Sequence, residues 1–101
     1  NRKGESFDRG ETFSGIAYDL GLKAVDALRP LTLPTMTMAQ MAIRWILMFP
    51  EVTCAIPGAK SPDQVEENVK SADLPPLSDE TMKEIRRVYD DLLRDHVHQC
   101  W

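Results

Sequence analysis

The residues best placed to do chemistry lie in Pro57-Gly58-Ala59-Lys60-Ser61-Pro62-Asp63-Gln64, where a glycine turn, a lysine and a helix start follow one another. Ser61 is a good N-cap. Pro62 takes the first helical position, where its missing N–H costs nothing, and Gln64 completes a Ser-x-x-Gln capping box. This order brings free backbone N–H groups, the positive end of a helix dipole and the Lys60 ammonium to one point, which is what a bound phosphate requires. The same residues also read as a plain turn followed by a solvated lysine. They do not form a Walker A loop, because the upstream glycine of that motif is missing.

Other reactive types are less well supported. Tyr18 has no lysine, histidine or aspartate placed to tune it and reads as a boundary aromatic, and Tyr89 belongs to a helical stripe and reads as a half-buried aromatic. His96-x-His98 and Cys100 could ligate a metal, but no second cluster completes a four-coordinate site, so no metal ligand is assigned. Cys54 and Cys100 are read as two reduced thiols of a cytoplasmic protein.

The elements that must position the Lys60 turn can be read from periodicity. Val52 to Ile56 is a short apolar run rich in β-branched residues and closed by Pro57-Gly58, which predicts a buried parallel strand at 52–56. Before it, Thr37-x-x-Gln40 is a capping box, followed by Met38, Met41, Ala42, Trp45, Ile46 and Phe49 at intervals of three and four. Gln40, Arg44 and Met48 fall off that stripe, and Pro50 ends the helix. An earlier helix is expected to be capped by Asp19, to bury Leu20, Ala24, Ala27 and Leu28, and to stop where Pro30 pushes Arg29 out of the α region. The helix from Pro62 to about Ala72 should bury Val65, Val69 and Ala72. A last helix, capped by Ser78, carries a Met82, Ile85, Tyr89 and Leu92 stripe. Residues 1–15 hold three glycines and two phenylalanines without a sustained period, and read as a loop or arm anchored by Phe7 and Phe13.

At 101 residues the chain makes one domain at most. Its 43% hydrophobic and 28% charged composition is that of a soluble protein, with no run long enough to span a bilayer. A formal net charge of −4 argues against a nucleic-acid partner, which would ordinarily call for a basic surface.

Ile56-Pro57-Gly58-Ala59-Lys60-Ser61-Pro62-Asp63-Gln64-Val65-Glu66-Glu67-Asn68 resembles the adenosine-phosphate loop of the aldo/keto reductases, NADP(H)-dependent oxidoreductases built on a (β/α)8 barrel. The similarity runs upstream through Met38-Ala39-Gln40-Met41-Ala42-Ile43-Arg44-Trp45-Ile46-Leu47, and more faintly to Phe13-Ser14-Gly15 and Leu74-Pro75. A (β/α)8 barrel needs about 250 residues, so the resemblance implies an α/β fold in which this chain is the C-terminal part of a TIM barrel. The expectation is about four helices and one short parallel strand in a single segment 1–101: an arm at 1–18, the last barrel units at 19–77 with the cofactor loop at 56–68, and a C-terminal helix and tail at 78–101.

The resemblance further implies that Ile56, Pro57, Gly58 and Ala59 line the cofactor, with Gly58 and Ala59 lending backbone N–H groups. Lys60 and Ser61 would contact the 2′-phosphate of NADP(H), Gln64 would lie beside that phosphate or the adenine, and Glu67 and Asn68 would hydrogen-bond the adenine edge. Many family members have a Lys-Ser pair where this chain has Gly58-Ala59, and an arginine in place of Gln64, which leaves NADH possible as well. The family's catalytic tyrosine, lysine, aspartate and histidine come from earlier strands, and no segment here resembles those motifs. The implied parent reduces aldehydes and ketones to alcohols, with a small-molecule carbonyl substrate bound outside this segment, and the segment alone is expected to be inactive. A helical interaction module with an anion-binding turn and no enzymatic role is the alternative.

Overall fold

A computed structural model describes residues 16–97. The proposed arm with Phe7 and Phe13, and His98, Cys100 and Trp101 of the tail, lie outside the described residues. What is described is helical: α1 (Tyr18–Leu28) passing into a 3₁₀ turn Arg29–Leu31, α2 (Met38–Leu47), α3 (Pro62–Lys70) passing into a 3₁₀ turn Ser71–Asp73, α4 (Asp79–Val88), a π-helical turn Tyr89–Leu93, and α5 (Arg94–Val97). Two compact units emerge. One contains 16–30 and 83–97 of the described residues, the other Leu31–Met82.

In the first unit, α1 lies against the π-helical turn. Ala24 and Val97 are buried, and Leu20, Leu28, Ile85, Tyr89 and Leu92 are half-buried, as the helical stripes required. Three details differ from the sequence expectation. The N-cap of α1 is Ala17, without a side-chain bond, and Asp19 stands in the first turn, where its charge still complements the dipole. Arg29 keeps α-helical angles (φ −54°, ψ −45°), and its N–H donates to the Val25 carbonyl, so the chain tightens into the 3₁₀ turn and is not expelled from the helix. A tightened last turn is a common way for orphan carbonyls to find donors. Ala27 is exposed, not buried. Asp90, inside the π-helical turn, accepts from Arg86 at 3.4 Å and Arg94 at 3.2 Å, one helical turn to either side.

The second unit is organised around the start of α2. Thr37 and Gln40 form the expected capping box: the Gln40 N–H donates to Thr37 Oγ1 at 3.1 Å, and the Thr37 N–H donates to Gln40 Oε1 at 3.0 Å. The face that α2 buries is only partly the expected one: Met41 is buried and Met38, Trp45 and Ile46 are half-buried. Gln40 is buried, at 8% exposure, whereas Ala42 and Phe49 are exposed. The reason is polar. Gln40 Nε2 donates to the Glu67 carbonyl at 3.0 Å, and Arg44 Nε donates to the Leu74 carbonyl at 3.0 Å. Spaced by four, the two side chains stand on one side of α2 and tie it to the end of α3 and the chain beyond it. Met41 is buried beside them and accepts from Thr32 Oγ1 at 3.7 Å, while Met36 and Leu77 complete the buried apolar set of this unit. Trp45 and Phe49 meet edge to face, ring centroids 4.8 Å apart.

After α2, the Val52 N–H donates to the Phe49 carbonyl at 3.0 Å, closing a tight turn over Pro50 and Glu51. Residues 52–59 then have no regular secondary structure, and no strand occurs among the described residues. The parallel strand expected at 52–56 is therefore not formed here. A parallel strand exists only through hydrogen bonds to a neighbouring strand, and without one the apolar run lies open, with Ile56 at 94% exposure.

The side of α3 expected to be buried is likewise turned outward: Val65 and Val69 are 50% and 64% exposed, and Ala72 is exposed. Anchoring to α2 through the Glu67 carbonyl brings Ser71 fully inside and Asn68 half inside. Val65 and Val69 then point roughly 100° away around the helix. Truncation at Met41 and at Val69 should separate sharply. Met41→Ala is expected to lower the unfolding free energy by about 2–5 kcal/mol, and Val69→Ala by no more than about 0.5 kcal/mol, as measured by urea denaturation.

Candidate functional site

Ser61 caps α3 with extended backbone angles (φ −143°, ψ 158°), its Oγ accepting from the Gln64 N–H at 3.3 Å, and Pro62 opens the helix. The capping box expected here does not close. Gln64 Oε1 instead accepts from the Lys60 N–H at 2.6 Å, one residue ahead of the cap. One turn further along α3, Asn68 Nδ2 donates to the Gly58 carbonyl at 3.2 Å. Gln64 and Asn68 are four apart and share a face, so they hold 58–61 against the helix like two stitches. Lys60 and Gln64 are left at the surface, with Ser61 half-buried between them.

Ile56, Pro57, Gly58, Ala59, Lys60, Ser61, Gln64, Glu67 and Asn68 thus fall along one continuous exposed strip of loop and helix, with only Ser61 and Asn68 half-buried. Glu67 is exposed, and its backbone carbonyl is held by Gln40 Nε2 and by Ser71 Oγ at 3.3 Å. Gly58 has open space around a hypothetical Cβ and does not lie in the left-handed region. Its value here is therefore not a turn that only glycine permits.

Chemically, the strip offers an ammonium, a hydroxyl and backbone amides near a helix N-terminus, a donor set that suits an anion. Asp63, in the first turn of α3, places a negative charge at the same end, so Lys60 is the side chain that must carry charge recognition of a phosphate. Among the described residues no group of histidine, cysteine or acidic side chains is arranged to hold a metal ion, and no helix is long and apolar enough to cross a membrane.

The model of the aldo/keto reductase family matches residues 2–90. The chain belongs to the aldo/keto reductase family. A protein of Arabidopsis thaliana described as a probable voltage-gated potassium channel subunit beta is 39% identical over 57 residues, 55% of this chain and 17% of that protein. The matched stretch is thus a small part of its curated relative. No solved structure matches the chain. Aldo/keto reductases are oxidoreductases on a barrel scaffold, and the helices described here accord with part of one.

Sequence reasoning found the loop and both helix caps but missed the role of Gln40 and Arg44 in joining α2 to α3. A signal was available: they are the two polar side chains able to reach furthest from an otherwise apolar helix, and they are four residues apart. Because Gly58 meets no neighbour, Gly58→Ala should leave thermal stability unchanged or raise it by about 0.4–1 kcal/mol, since alanine restricts the unfolded chain at a compatible backbone position. Calorimetry on the two proteins checks this, and a marked loss would mean that the site needs glycine for its own folding.

Proposed function

We propose that this chain is the C-terminal, cofactor-binding segment of an NADP(H)-dependent aldo/keto reductase that reduces aldehydes and ketones to alcohols. The observation that carries the reading is the loop 58–61, stitched to α3 by Gln64 and Asn68 with the Lys60 side chain exposed at a capped helix start. Lys60 and Ser61 hold the 2′-phosphate as cation and hydroxyl donor. Gly58 and Ala59 lend backbone N–H groups, and Ile56 and Pro57 border the cofactor. Gln64 lies beside the phosphate or the adenine, with Glu67 and Asn68 on the adenine edge.

When bound, the cofactor supplies the hydride. The share of this segment is to grip the adenosine end, so that the rest of the dinucleotide is held in one orientation and the entropy of alignment is lost on binding and not at the reacting centre. No catalytic residue is assigned to this chain. The tyrosine, lysine, aspartate and histidine of the family, and the carbonyl pocket, belong to other segments of the parent. The protein works in the cytoplasm on small-molecule substrates, without a nucleic-acid or membrane partner. NADH can replace NADPH to a degree set by how much of the phosphate recognition falls to Lys60 alone.

Titration of the full-length protein with NADPH and NADH, wild type against Lys60→Ala, tests the reading. The expected result is a loss of about 1–3 kcal/mol for NADPH and little change for NADH, the effect of deleting a charged hydrogen-bond partner of the extra phosphate. Equal losses for the two cofactors, or none, would remove Lys60 from the site. Gly58→Ala should weaken both cofactors alike, because its new methyl group stands where the ligand approaches and not where the protein packs.

The exposed Ile56, Val65 and Val69 favour a second reading, a helical interaction module without catalysis. Sedimentation and denaturation of the 101-residue chain separate the two. The module unfolds cooperatively as a monomer, and the barrel segment aggregates or is loosely structured.

A further inference from the structure

Gln40 uses both ends of one side-chain amide. Its Oε1 accepts from the Thr37 N–H and so closes the cap of α2, while its Nε2 donates across 27 positions of sequence to the carbonyl of Glu67. That carbonyl lies in the last turn of α3. Helix C-termini leave their last four carbonyls without donors from the helix itself. Here the donor that would ordinarily serve Glu67, the Ser71 N–H, is turned to the carbonyls of Asn68 and Val69. Gln40 and the Ser71 hydroxyl take its place. The bond is part-buried, with Gln40 and Ser71 buried and the Glu67 side chain outside.

We infer that Gln40 is a positioning residue for the cofactor site: it fixes the axial placement of α3 against the capped end of α2, and through α3 the placement of Gln64, Glu67 and Asn68 and of the loop they hold. The inference rests on the cofactor reading above and adds a residue outside the loop to it. The chain of contacts is short and continuous. Gln40 holds the Glu67 backbone, Asn68 is the next residue, and its side chain holds Gly58, while Gln64 holds Lys60 one turn earlier. Release of the Glu67 carbonyl leaves the bond from Arg44 to Leu74, which lies beyond the end of α3 and does not set the position of the Lys60 turn.

Gln40→Glu separates the two duties of the side chain. A glutamate at this position still closes a Thr-x-x-Glu capping box, but it has no N–H for Glu67 and sets a carboxylate against a carbonyl oxygen. Thr37→Ala does the converse, removing a cap bond while leaving the Gln40 amide free to hold Glu67. The experiment measures NADPH affinity, denaturant stability and amide hydrogen exchange of residues 62–71 for the full-length wild type and both variants.

The expected result is that Gln40→Glu weakens NADPH binding about tenfold and speeds exchange in α3, whereas Thr37→Ala lowers stability with affinity and α3 exchange near wild type. A purely structural Gln40 would instead make affinity fall in step with stability in both variants, which would overturn the inference. Wild-type affinity and wild-type α3 exchange in Gln40→Glu would overturn it as well. A wild type that does not bind NADPH overturns the cofactor reading and the positioning role with it. Gln40→Glu failing alone, in a wild type that binds, leaves the cofactor reading standing and removes only Gln40.

Discussion

The second unit depends on how the carbonyls at the end of α3 are satisfied. A buried carbonyl without a donor costs about 1–3 kcal/mol, comparable to the contribution of a fully buried aliphatic side chain. In bonds that are part-buried, Glu67 is spared a share of that cost by Gln40 and Ser71, and Leu74 by Arg44. Once these bonds are fixed, most of the rest follows. α2 must turn its polar side toward α3, Met41 is buried next to the junction, and the valines of α3 face away. In this small unit, where few apolar side chains are fully enclosed, specific polar bonds choose the orientation that hydrophobic burial alone would leave open.

That explains where the sequence was readable and where it was not. Caps are local, and three of the four expected were legible: Thr37 with Gln40, Ser61 ahead of Pro62, and Ser78, whose Oγ accepts from the Thr81 N–H at 3.1 Å, whereas Asp19 stands inside α1 and does not cap it. The helices built on them were legible for the same reason. Burial is not local. The stripe of Met38, Met41, Ala42, Trp45 and Ile46 marks α2 as a helix to be covered on several sides, yet which side meets α3 is decided by a carbonyl 27 residues away. The Val52–Ile56 run is the clearest case. Its composition states a preference for a sheet, but a strand also needs a neighbour to share its hydrogen bonds, and none occurs among the described residues.

The candidate site shows the same division. The type and order of Gly58, Lys60, Ser61, Pro62 and Gln64 were enough to place a loop and a capped helix start there. The partner of Gln64 was not foreseeable, because a glutamine three residues past an N-cap can close a capping box or reach one residue further back, and here it reaches back to the Lys60 N–H. The backbone of residue 60 is anchored, and its side chain is left to solvent. Membership of the aldo/keto reductase family is the ground on which a cofactor grip is proposed for that arrangement.

The most direct test of this account needs no turnover. Adenosine 2′,5′-bisphosphate, the phosphate-bearing end of NADP without its nicotinamide, can be titrated into the ¹⁵N-labelled full-length protein while backbone amide shifts are followed. The account predicts saturable shifts concentrated at residues 58–61, 63, 64, 67 and 68, larger than those produced by adenosine 5′-phosphate. Shifts that avoid those residues, or that do not distinguish the two nucleotides, would contradict it.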